Sequence, residues 1–137
     1  MVGDMSDQDH QPPPRVSPRV KGAPHIRQIY WCRLPNDAEL PELWKTRPVL
    51  IVFYRNTLHG AVTAIPTTTV EQDANPWAFR LRTSLDQSKV SWAICDKPIT
   101  VAVSRLQPHR TIPRVPENEF NEVLKLLLAW LPRPPGP

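Results

Sequence analysis

Residues 44–54 read WKTRPVLIVFY, and how they are read decides the fold. From Pro48 onward the run Val49, Leu50, Ile51, Val52, Phe53 offers no polar residue to either face. Such a run predicts a central strand over 48–54 that is covered on both sides. Pro48 has a fixed φ and no N–H to donate, which suits the entry to a strand and restricts the backbone just behind Arg47. Arg47 therefore marks either a strand boundary or a cation held at the mouth of a site.

On both sides of this run the chain repeats one pattern, short alternating segments separated by turn signals. IRQIYWCRL (26–34) alternates and stops at PND, AVTAIPT (61–67) follows the turn RNTLHG, and WAFRLR (77–82), VSWAICD (90–96) and ITVAVSRL (99–106) complete the series. Segments 48–54 and 61–67 are expected to form a hairpin. Many short strands without intervening helical periods predict a closed or nearly closed small β-barrel. Only the end changes period. After Pro116, Phe120, Val123, Leu124, Leu127, Leu128 and Leu131 recur at three- and four-residue steps, with Glu117 and Glu119 in the first turn. This predicts a helix over about 117–131 that packs on the barrel and ends at Pro132. The fold class is mainly β with a C-terminal helix.

The chain has 137 residues, 40% of them hydrophobic, which is enough for one core. Its 18 prolines crowd the ends. Residues 1–24 hold PPP and little to bury, so they are expected to be a disordered Pro-rich arm, with the domain spanning 25–132 and a Pro-rich tail over 133–137. The arm is neutral, with Asp4, Asp7 and Asp9 against Arg15, Arg19 and Lys21. The formal net charge of +4 thus belongs to the domain and suits an anionic partner. Cys32 and Cys95 lie in strand-like segments and are expected to be buried and reduced, as in a cytoplasmic protein. No long apolar span points to a membrane. Two cysteines and four histidines at unrelated spacings do not make a metal site, so neither metal nor cofactor is expected.

The chemistry open to these residues is that of cations and hydroxyls. There is no glycine-rich phosphate loop, no G-x-S-x-G and no H-E-x-x-H. RNA cleavage fits such an inventory, because the 2'-hydroxyl is itself the nucleophile and the protein must mainly stabilise a dianionic phosphorane. A guanidinium does that with two parallel hydrogen bonds while keeping its charge. Arg47 is the first candidate. The threonines of IPTTTV (65–70) are the second, since hydroxyls bond phosphate or ribose without titrating.

Taken in order, IYWCRLP, a loop, TRPVLIV, a strand ending IPTTT, WAICDKPITVAVSRL and a Leu-rich helix resemble the MazF/PemK family of type II toxin-antitoxin systems from about Ile26 to Leu131. The resemblance implies a small SH3-like β-barrel and a homodimeric cytoplasmic toxin. It also implies metal-independent endoribonuclease activity on single-stranded RNA, leaving a 2',3'-cyclic phosphate, and a cognate antitoxin protein as partner. The family's catalytic Arg, before the Pro of its second strand, matches Arg47. Its catalytic Thr, two residues after the Pro ending the third strand, matches Thr68. Lys45, Asn56 and Thr67 are candidate RNA contacts. One departure is plain: NDAELPELWK (36–45) replaces the family's usual Gly-Ser-Glu loop, with Glu39 and Glu42 as candidates to stand in for the Glu.

Two other readings use the same fold. A gyrase-inhibiting toxin would work through a C-terminal Trp-Gly-Ile, whereas this chain ends WLPRPPGP. A non-enzymatic SH3-like binding module would keep only the barrel. Among Trp31, Trp44, Trp77, Trp92 and Trp130, most are expected in the core, and Trp44, in the least strand-like segment, is the one placed to meet a ligand. His59 is expected in a solvated turn, and the PENE acids on a solvated helix start.

Overall fold

The computed structural model describes residues 11–53 and 57–136. Seven strands precede one helix: β1 (Ile29–Arg33), β2 (Thr46–Phe53), β3 (Ala61–Thr68), β4 (Ala78–Leu81), β5 (Ser91–Ile94), β6 (Ile99–Ala102), β7 (Leu106–Gln107) and α1 (Glu117–Ala129). The ladders are antiparallel, in the order β4-β5-β3-β2-β1-β7, with β6 also on β3. The double-faced reading of β2 holds. Val49 and Ile51 point into one core with Tyr30, Cys32, Val62 and Val101. Leu50 points into a second, with Ile29, Ile65, Ala93, Phe120 and Val123. Side chains such as Leu50 and Ile65, fully buried, each contribute roughly 1.5–3 kcal/mol by leaving water.

β3 belongs to both halves of the sheet. Its first residues, Ala61 to Ala64, pair with β6, and its last, Thr67 and Thr68, pair with β5. The hairpin with β2 is as expected, apart from a bulge between Ile51 and Phe53.

Three expectations about the strands and the arm need correction. The barrel does not close by a continuous ladder, because ITVAVSRL is not one strand. A 3-10 turn at Val103–Arg105 interrupts it, so that β6 lies on β3 while β7 crosses to β1. The ring is closed there by the chain itself. Val103 is fully buried inside the turn, which keeps the inward alternation of Val101 and so hides the break from the pattern. Second, β2 starts at Thr46, two residues before Pro48, which puts Arg47 within the strand. Third, Val20 is buried in the barrel core and Pro24 is also buried, while the Arg15 guanidinium donates to the His59 carbonyl at 3.1 Å. The end of the arm therefore carries core contacts despite its polar neighbours.

α1 covers the second core with Phe120 and Val123, backed by Leu124 and Leu127, whereas Leu128 and Leu131 remain exposed. Glu119 is not a solvated acid. It is 5% exposed, and its carboxylate accepts the Arg82 amide at 2.9 Å, joining the first helical turn to the end of β4. Trp130, which follows the helix, donates from Nε1 to the Cys95 carbonyl at 3.1 Å. The other expected core tryptophans, Trp31, Trp77 and Trp92, are half-buried like Trp130, so none of them belongs to the closed core. Among the described residues no helix is long and apolar enough to cross a membrane.

Candidate active site

Arg47 leaves β2 next to the end of β3. The strand register pairs Val49 with Pro66, and continuing it by two residues sets Arg47 opposite Thr68. The two candidates from distant parts of the sequence thus meet at one strand end. On the other side of β2, Arg47 pairs with Cys32 of β1, so the backbone that carries it is held from both flanks.

The guanidinium is half-buried and incompletely paired. Nη2 donates to the Trp44 carbonyl at 3.3 Å, while Nε is buried without a hydrogen-bond partner. Burial lowers the Arg47 pKa, because an ion loses solvation there. Among the described residues no carboxylate forms an ion pair with it. A cation in this condition gains from an incoming anion more than a solvated one does, since part of the desolvation is already complete.

The threonines divide by role. Thr67 is 1% exposed, and its hydroxyl donates to the Pro48 carbonyl at 2.9 Å. Its proton is thus committed to holding the Pro48–Val49 peptide, just behind Arg47, in place. Thr68 is half-exposed, and its oxygen accepts the Val70 amide at 3.1 Å. That arrangement fixes the oxygen and leaves the hydroxyl proton to donate outward. Arg47, Thr67 and Thr68 line one cleft of about 320 Å³ together with Lys45. Asn56 lies outside the described residues.

The opposite wall of the cleft comes from the connection between β4 and β5, with Ser84, Asp86 and Lys89, and from Ser91 at the start of β5. Sequence reasoning missed these four. SLDQSK carries residue types that suit phosphate, but only the three-dimensional path brings this turn across from β2. Within it, hydrogen bonds from the Ser88 hydroxyl and amide hold the Asp86 carboxyl below its ordinary pKa, and Lys89 stands 4.0 Å from Asp86. Lys45, Arg47 and Lys89 against Asp86 leave the cleft cationic.

Glu39 and Glu42 do not reach this cleft. The Glu42 carboxylate turns back to accept the Glu39 amide at 2.9 Å, which folds the 36–45 loop on itself. His59 is exposed and lines a different hollow, of about 920 Å³, beside residues 13–16. Among the described residues no group of three His, Cys, Asp or Glu is spaced to hold a metal ion. Cys32 and Cys95 are free and buried, and burial pushes their thiols up to about 11 and about 12.

The fold recurs in solved structures. An endoribonuclease from Mycobacterial species superposes with a TM-score of 0.60 at 22% identity, over 82% of this chain and 96% of that one. An endoribonuclease from Mycobacterial species in complex with its cognate antitoxin gives 0.55 at 24% identity, over 82% and 100%. MazF from Deinococcus radiodurans gives 0.60 at 19% identity, over 80% and 96%. Among curated proteins no sequence matches. Residues 26–131, which contain every strand, the whole of α1 and both walls of the cleft, match the family of PemK-like, MazF-like toxins of type II toxin-antitoxin systems, and the chain belongs to that family.

Proposed function

We propose that this toxin is an endoribonuclease that cuts single-stranded RNA at the Arg47–Thr68 cleft without a metal or cofactor. The observation that carries the reading is the half-buried Arg47 guanidinium, its Nε unpaired and no carboxylate in ion-pair contact with it among the described residues, facing a cleft beside the Thr68 hydroxyl. In this mechanism the 2'-oxygen attacks phosphorus as its proton leaves, and the bond to the 5'-oxygen breaks as that oxygen gains a proton. The products are a 2',3'-cyclic phosphate and a 5'-hydroxyl.

Arg47 stabilises the phosphorane, whose second negative charge develops only in the transition state. Thr68 donates to a non-bridging oxygen of the scissile phosphate. Lys45 and Lys89 hold the flanking phosphates, and Thr67 keeps Arg47 in register. Asn56 is a further RNA contact in this reading. The catalytic unit is the domain 25–132 with Val20 and Pro24 of the preceding arm packed into it, acting as a homodimer in the cytoplasm and silenced by a cognate antitoxin. The antitoxin-bound relative of the same fold supports that partnership.

The test is to incubate the purified protein with a long single-stranded RNA in EDTA and map the cut ends, beside Arg47→Ala. The expected result is cleavage leaving 2',3'-cyclic phosphate, slowed about a hundred- to a thousandfold in the variant, as for loss of a transition-state donor. No cleavage, or equal cleavage by Arg47→Ala, overturns the assignment.

A further inference from the structure

A second groove adjoins the cleft. It is lined by Arg33, Leu34, Leu40 and Trp44, and it shares Lys45 and Thr46 with the catalytic cleft as a common rim. Register explains the adjacency, since Arg33 of β1 pairs with Thr46 at the start of β2. A chain leaving the Arg47 cleft over this rim passes directly onto Trp44.

Trp44 is built unlike the other tryptophans. It is 53% exposed, and the Lys45 ammonium stands 5.6 Å from its ring centroid. The backbone at Lys45 is left-handed, with φ 65°, a conformation that is strained for a non-glycine residue. Arg47 donates to the Trp44 carbonyl, so the loop segment and the proposed catalytic cation are positioned together. A strained turn that holds an open indole under a cation, one residue from a cationic cleft, has no role in the core. An aromatic face with a positive charge beside it is the arrangement that takes a nucleobase and its phosphate.

We propose that Trp44 is the stacking platform for the base of a nucleotide next to the scissile phosphate, with Lys45 on that nucleotide's phosphate and Arg33 along the groove. This rests on the nuclease reading and extends it.

The experiment uses binding as well as cleavage, so that the two readings fail separately. Affinity is measured by anisotropy for a labelled single-stranded oligonucleotide with 2'-deoxyribose throughout, which cannot be cut by 2'-hydroxyl attack, and for the same strand carrying abasic sites. Trp44→Ala is expected to weaken binding to the base-bearing strand about ten- to a hundredfold, with Trp44→Phe intermediate, and to leave binding to the abasic strand within about twofold. On cleavable RNA, the larger share of the loss in Trp44→Ala falls on KM, and the distribution of cut sites changes. Equal binding by Trp44→Ala and wild type, an equal loss on the abasic strand, or no binding by wild type overturns the platform. Absent cleavage with these binding differences intact overturns the nuclease reading alone.

Discussion

The Thr67 hydroxyl donates to the Pro48 carbonyl at 2.9 Å across the β2–β3 hairpin. Pro48 cannot donate to a ladder, and the side chain of Thr67 makes the bond that ties the two strands where a backbone N–H is missing. This bond ties the Pro48–Val49 peptide, the link directly after Arg47, to the strand that carries Thr68.

Thr67→Val, nearly isosteric, is therefore expected to lose about 1 kcal/mol of stability in urea unfolding and to cut RNA more slowly. Thr67→Ser is expected to restore most of both. A Thr67→Val protein as active and as stable as wild type would show that the bond positions nothing.

Arg47 should show the opposite relation between stability and activity. Its half-buried guanidinium keeps an unpaired Nε, so Arg47→Met is expected to slow cleavage as much as Arg47→Ala while leaving the melting temperature unchanged or higher. A variant that loses both together would make Arg47 a structural residue.

Glu119 is expected to matter for stability only. Glu119→Ala leaves the Arg82 amide without its acceptor and opens a gap beneath α1, at a cost of about 1–3 kcal/mol in urea unfolding, with Glu119→Gln milder. Specific cleavage by the folded fraction should be unchanged.

The thiols make stability depend on alkaline pH. Burial raises Cys32 to about 11 and Cys95 to about 12 from an ordinary 9.0, so the unfolded chain releases these protons first. Each thiol is then expected to remove on the order of 1 kcal/mol of stability per pH unit as pH rises from 9 toward its folded value, and nothing below pH 8. Urea midpoints at pH 7, 9 and 10 for wild type and for a Cys32→Ala, Cys95→Ala double variant check this. The variant should show the shallower fall.

Where a residue's setting is written along the chain, the sequence revealed it. The strand behind Arg47 was legible because an apolar run on both faces has few other solutions, and α1 was legible from its stripe. The break at Val103–Arg105 was not, since alternation records which side chains point inward and not which neighbour the strand follows. Val20 stood among charges and Glu119 in the polar stretch PENE, and both are buried because of what lies opposite them in space. Ser84 and Lys89 reach the cleft for the same kind of reason. In the site, Arg47 and the threonines of 65–70 became candidates through their chemistry, the family pattern singled out Thr68 among them, and the meeting of Arg47 and Thr68 at one strand end is a fact of register.

β3, gripped by β6 at one end and by β5 at the other, makes length matter more than composition. One residue inserted or deleted within Ala61–Thr68 would exchange its two faces and slide Thr68 along β2 away from Arg47. The 36–45 loop has no such ladder to keep in step. A toxin built this way is free to vary the loop beside its cleft, while the distance from Pro66 to its threonine works as a fixed ruler.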